Sequence, residues 1–217
     1  MAVTYPYSLP AFADRLLVSS VVWSVQRNDE ISGAGDGRFF QAELAPPLWT
    51  GDVTLSLDRS DNVKQIAALV RKLHGSQEAF FLFDPLSPYP QHDPKGLILG
   101  SANVQVNSVS TNRDAISLKG LPAGFVLTIG DKMQIAYGSN PVRYAFLELS
   151  ETGAANGSGS TGQLGVFPHV PVGVTTNLTV TLKKPACRVV IFPGSHEPGR
   201  ARRTVTEGAG FKVIQKK

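Results

Sequence analysis

The sequence predicts a mainly β chain, built as a small barrel or sandwich with a single α-helix. Three observations lead there. Apolar and polar side chains alternate with period two in several short runs, as half-buried strands require. One segment, 61–74, carries its apolar residues at three- and four-residue steps instead. The 21 glycines and 15 prolines divide the remainder into short pieces joined by turns.

In chain order, Val21, Trp23 and Val25 share one face of a strand over residues 20–26, while Ser24 and Gln26 turn away. A second strand follows at 52–57, where Val53, Leu55 and Leu57 alternate with polar residues. Between them, residues 28–37 read as a long, mobile hairpin loop that Gly33, Gly35 and Gly37 permit. The helix presents Val63, Ile66, Ala67, Val70 and Leu73 as one stripe. Ser60 or Asp61 is placed to cap its start, and Gly75 to close its end in the left-handed conformation. Residues 79–83 then read as a buried strand on which the helix packs. The connector 84–96 holds Pro85, Pro88, Pro90 and Pro94 and cannot join a central strand. Short strands are expected at 102–109, 115–118, 125–129, 132–137, 142–147, 175–182 and 188–192, with a flexible Gly/Ser tip at 152–162. No fixed-period repeat is present.

Bulk properties bound the function. At 217 residues, 42% hydrophobic and 18% charged, the chain can bury a real core and is neither disordered nor a membrane protein. No apolar run approaches the roughly 20 residues that span a bilayer. Residues 1–12, with Pro6 and Pro10 and no basic start, do not read as a secretory signal. Cys187 is alone, which fits a reducing cytoplasm. The net charge of +4 is uneven: residues 183–217 carry nine basic side chains against Glu197 and Glu207, a local +7, and the rest carries −3. A basic end on a mildly acidic body suits nucleic acid, an anionic surface or an acidic protein partner. No nucleic-acid motif accompanies it.

Residue patterns that carry chemistry are weak. The glycines of 33–37 superficially match a nucleotide-binding loop, but residues 38–42 continue as strand where the phosphates need a helix N-terminus. His74, His92, His169 and His196 are scattered and form no metal-ligand spacing. Asp84, His92 and Asp93 lie close together in the proline-rich connector, where turn formation and surface polarity account for them. Cys187 precedes an apolar run and reads as a small buried side chain. No GxSxG elbow occurs. No catalytic, cofactor-binding or metal site is therefore assigned, and the chain is not expected to be an enzyme. Arg200, Arg202 and Arg203, with Lys212, are the candidate subunit-interface residues, a basic set suited to carboxylates on a neighbouring subunit. Solvated loop and DNA-channel lining are the alternatives.

The ordered set 48–53 (Leu-Trp-Thr-Gly-Asp-Val), helix, 73–75 (Leu-His-Gly), 80–85 (Phe-Phe-Leu-Phe-Asp-Pro), 118–124, 127–131, 184–187 (Lys-Pro-Ala-Cys) and 192–195 (Phe-Pro-Gly-Ser) resembles the bacteriophage distal tail proteins of siphophages. The resemblance covers most of the chain. It implies a tail-tube-like β-sandwich with one flanking α-helix over 1–93 and 184–217, and an inserted oligomer-binding-like small β-barrel domain over 94–183. It also implies a structural role, a homo-hexameric ring in the virion tail, assembled in the host cytoplasm. The implied partners are further copies of the chain, the tail tube protein and the tail hub protein, with DNA only as passing cargo and no membrane. A carbohydrate-binding or cell-wall-degrading tail-tip protein is the rival. It would need aromatic platforms or a paired-carboxylate site, and Trp23 and Trp49 fall in or beside predicted strands.

Overall fold

The computed structural model describes residues 4–217. Among the described residues the chain is mainly β, with one α-helix. In order it forms β1 (Val18–Gly33), β2 (Phe39–Leu55), β3 (Asp58–Arg59), α1 (Ser60–Lys72), β4 (Phe80–Phe83), β5 (Gln105–Val109), β6 (Ala115–Lys119) and β7 (Val126–Leu127). It continues with β8 (Lys132–Tyr137), β9 (Arg143–Leu149), β10 (Gly153–Ala154), β11 (Leu164–Phe167), β12 (Val180–Thr181), β13 (Ala186–Ile191), β14 (Glu197–Ala201) and β15 (Val205–Gln215). The chain divides into two compact units, one of residues 17–76 and 190–215, the other of residues up to 16 with 77–189 and 216–217.

In the first unit β2 lies between β1 and β15, and β15 also pairs with β14 and β3, all antiparallel. Register aligns Val21, Val53 and Phe211 on one face, all buried. Leu55, Ala209 and Val213 extend that face, and α1 lies over it, so Val63, Ile66, Ala67 and Val70 face Leu55, Ala209 and Phe211. The helix therefore packs on β15 and its neighbours, where residues 79–83 had been expected, because the alternating Ala209, Phe211 and Val213 supply the apolar face it needs. Strand β15 itself is absent from the sequence reading. No side chain caps the first turn of α1: Ser60 is already helical and Asp61 lies within the turn. At the other end Gly75 adopts φ +70°, as expected, after His74 at φ 49°. Leu57, expected inside, is exposed, since β2 ends at Leu55.

The second unit is organised by a six-stranded antiparallel sheet in the order β12-β8-β9-β11-β6-β5. It nearly closes on itself: Val106 N–H donates to Leu178 O (2.9 Å), Asn177 N–H to Val106 O (2.8 Å) and Val180 N–H to Val104 O (2.8 Å). Such bonds cover most of what would be open strand edges. The interior is filled by Val106, Ile116, Leu118, Leu127, Met133 and Ile135, each fully buried. Beside the barrel β4 pairs with β13, and Tyr7 bridges Phe80 on the other side. Phe81 stacks edge-on against Tyr144, 4.8 Å between centroids, and Ala186 N–H donates to Gln134 Oε1 (3.2 Å), joining β4 and β13 to the barrel wall.

The Gly/Ser stretch 152–162 is not a protruding tip. Asn156 Oδ1 accepts the backbone N–H groups of Ser158 and Ser160, each at 3.0 Å. Thr161, buried, accepts Leu118 N–H at its hydroxyl (3.0 Å), and its carbonyl accepts Ser117 Oγ (2.8 Å). Composition suggests mobility here, but paired backbone groups tie the segment to the barrel wall. No helix among the described residues is long and apolar enough to cross a membrane.

Candidate subunit interface

The hairpin of β1 and β2 is far longer than a loop at residues 28–37 would allow. The ladder runs from Val18↔Leu55 to Gly33↔Phe39, and only residues 34–38 turn, with Ala34 N–H donating to Arg38 O (2.7 Å). Strand pairing extends through residues 28–33 because the inward-pointing backbone groups there pair across the ribbon, which outweighs the loop-like composition.

Beyond its base this ribbon stands alone. Strand β15 pairs with β2 only from Thr50 to Thr54, so residues 39–48 have one open edge, and β1 has the other along its length. Residues 39–44 are exposed on both faces, and Phe39 and Phe40 keep 68% and 67% of their surface accessible. Register separates the two faces. Phe40, Ala42 and Leu44 project from one, opposite Ser32 and Glu30. The other carries Asp29, Ile31, Phe39, Gln41 and Glu43. On that face Arg27 Nε donates to Asp29 Oδ2 at 2.7 Å, Gln41 Nε2 to the same oxygen at 2.5 Å, and Arg27 Nη2 lies 3.7 Å from Glu43. The hydrogen bond from Arg27 holds the Asp29 carboxyl below its ordinary pKa. A two-stranded ribbon is marginal alone in water. Two open edges and an apolar stripe make this one an element suited to pairing with another chain.

The basic set is placed at the far end of the first unit. Arg200 lies on β14 opposite Glu207. Arg202 Nη2 pairs with Glu207 Oε1 at 2.6 Å, and Arg203 sits exposed in the turn between β14 and β15, without an ion pair among the described residues. Lys212 lies on the sheet face away from α1, 3.6 Å from Asp52, its cross-strand neighbour. The four residues thus divide between a turn and a sheet face, and two of them have carboxylates within the chain.

Asp84 and Asp93 are buried turn-formers, where surface positions had been expected. Asp93 accepts the N–H groups of Leu97 (2.9 Å) and Leu99 (2.8 Å), and burial, which opposes ionisation, is outweighed by these backbone donors, so its pKa is lowered. His92 is exposed and stacks edge-on against Phe125, 5.3 Å away. Cys187 is fully buried, and burial pushes its thiol pKa far up, which leaves no thiolate for nucleophilic chemistry. The four histidines do not converge, and no group of three metal-ligating side chains occurs among the described residues.

Residues Ile31, Phe39, Phe40 and Leu44 were missed as site residues. Their signal was present: Phe40, Ala42 and Leu44 alternate with Gln41 and Glu43, and residues 38–42 read as strand. Only the structure shows that these side chains are exposed among the described residues. Compared with protein-family models and with curated protein sequences, the chain matches none.

Proposed function

We propose that this chain is a structural subunit of a phage tail tip, whose copies close into a six-fold ring joining the tail tube to the hub and continuing the DNA channel. The carrying observation is the ribbon. Its two open edges belong to different strands, so the β1 edge of one copy meets the β2 edge of the next. Such a contact is head-to-tail and generates a ring when the rotation closes. A strand of the next copy then lies alongside Phe40, Ala42 and Leu44, and an exposed strand edge ceases to be an aggregation hazard. The resemblance to distal tail proteins supplies the setting: a virion tail, with the tail tube and hub proteins as neighbours and DNA as cargo. The role is mechanical, without cofactor.

Imaging of intact particles tests this reading. A ring of this chain at the tail tip is the expected result, and an isolated copy in the reconstruction sinks it. Phe40→Asp and Leu44→Asp should abolish ring assembly. Because both side chains are exposed, the unfolding free energy of the monomer should move by less than about 0.5 kcal/mol.

A further inference from the structure

The barrel unit carries an open cleft of about 580 Å³ between the proline-rich connector and the turn before β8. Its size is that of a recognition site. Leu86 and Ile129 stand at its rim, 89% and 62% exposed. Its floor holds Asp84, Asp131 and Lys132. Lys132 is fully engaged by Asp84 (2.8 Å) and Glu148 (3.1 Å). Asp131 accepts only the N–H groups of Gln91 (2.9 Å) and Thr128 (2.8 Å) and makes no ion pair. The lining thus holds two carboxylates and one ammonium, and Asp131, whose pKa burial pushes up, is the carboxyl that Lys132 leaves unpaired.

In the other unit, Arg203 is exposed in the turn of residues 202–204, without an ion pair among the described residues. Arg200 beside it has no carboxylate beyond the Glu207 already paired with Arg202. The chain thus presents a cleft with two apolar side chains at its rim and carboxylates on its floor, and a turn with Arg203 exposed.

We propose that this cleft receives the arginine turn of a second copy of the chain. Arg203 enters above Asp131, and Leu86 and Ile129 pack along its methylene stem, as long cationic side chains permit. The contact joins two different surfaces, so it is head-to-tail. It rests on the ring reading and names a second interface within that ring, separate from the ribbon. Opposite charges at its two sides accelerate encounter and fix register.

The test uses two full-length variants of different tag length, Gln91→Cys in the cleft and Thr204→Cys in the turn, mixed under a mild oxidant. Both positions are exposed and leave Arg203 and Leu86 intact, and native Cys187 is buried. The expected result is a disulfide-linked heterodimer, and adding Arg203→Glu to the Thr204→Cys copy should slow its formation about tenfold, the low end of electrostatic steering. A heterodimer yield no higher than that of Arg143→Cys, outside the cleft, mixed with Thr204→Cys overturns the proposal. So does indifference to Arg203→Glu. If crosslinking succeeds and particles show no closed ring, the docking stands and the ring reading falls. If rings are imaged and no crosslink forms, the reverse holds.

Discussion

Lys132 Nζ lies 2.8 Å from Asp84 Oδ2 and 3.1 Å from Glu148 Oε2, so one buried ammonium ties the end of β4 to two neighbouring barrel strands. Burial works against the charged form, and the hydrogen bond and charge of Asp84, with Glu148, overcome it and hold the Lys132 pKa above its ordinary 10.5. A raised cationic pKa stabilises the folded state fully below the unfolded value, and the contribution is lost as pH rises through the folded one.

Lys132→Ala should therefore cost about 3–5 kcal/mol, because two carboxylates remain with no cation. Urea denaturation at pH 7 measures it. A loss under about 1 kcal/mol would show that the pair is solvated. The gap between wild type and variant should narrow at alkaline pH, above the ordinary lysine value, as the wild-type ammonium deprotonates.

The face of α1 gives a second expectation. Ile66 and Leu73 are buried, Leu73 completely, so replacing either by Ala should cost about 2–5 kcal/mol. Lys64→Ala, on the exposed side, should change stability by less than about 0.5 kcal/mol. Equal effects from both kinds of change would refute the packing of α1 on Phe211.

Residues 152–162 should behave as part of the barrel wall. Thr161→Val removes the acceptor of Leu118 N–H and should cost about 1–3 kcal/mol, the penalty of an unmade buried bond. Gly159 has φ +76°, and a side chain there would run into the Leu121 carbonyl, so Gly159→Ala should destabilise too. Amide exchange at Thr161 as fast as in a free peptide would contradict this.

Asp93 sets an acid limit. Its carboxylate pKa lies below the ordinary 3.8, so it stabilises the fold above that value and the contribution fades as pH falls through the folded pKa. Asp93→Asn should flatten the acid limb of the stability-against-pH curve and leave its alkaline limb in place. Parallel acid limbs in both proteins would exclude Asp93 as the titrating group.

How much of this was legible varies with how locally each element is determined. The α1 stripe and the Val21/Trp23/Val25 alternation are properties of single segments, and both were read correctly. Strand β15 was not: Glu207, Gly208, Gly210 and Lys212 interrupt Ala209, Phe211 and Val213, and the strand exists because β2 and α1 cover its apolar face. β11 was missed because four residues including Gly165 carry little pattern of their own. At the site, the arginines were visible as charge, whereas the ribbon was hidden in glycine-rich composition. Its exposure is a fact about absent neighbours, which no local sequence signal encodes.

The closure of the barrel has a consequence for how such a chain can change by descent. Strand β5 enters the barrel beside the segment that leaves it, since Gln105 bridges Thr179 directly. Entry and exit side by side make the intervening residues a cassette. Exchanging it for another fold, or deleting it behind a short linker, closes only a small gap at little entropic cost. Whatever replaces the cassette still has to answer Phe81, Asp84 and Ala186, which now meet Tyr144, Lys132 and Gln134.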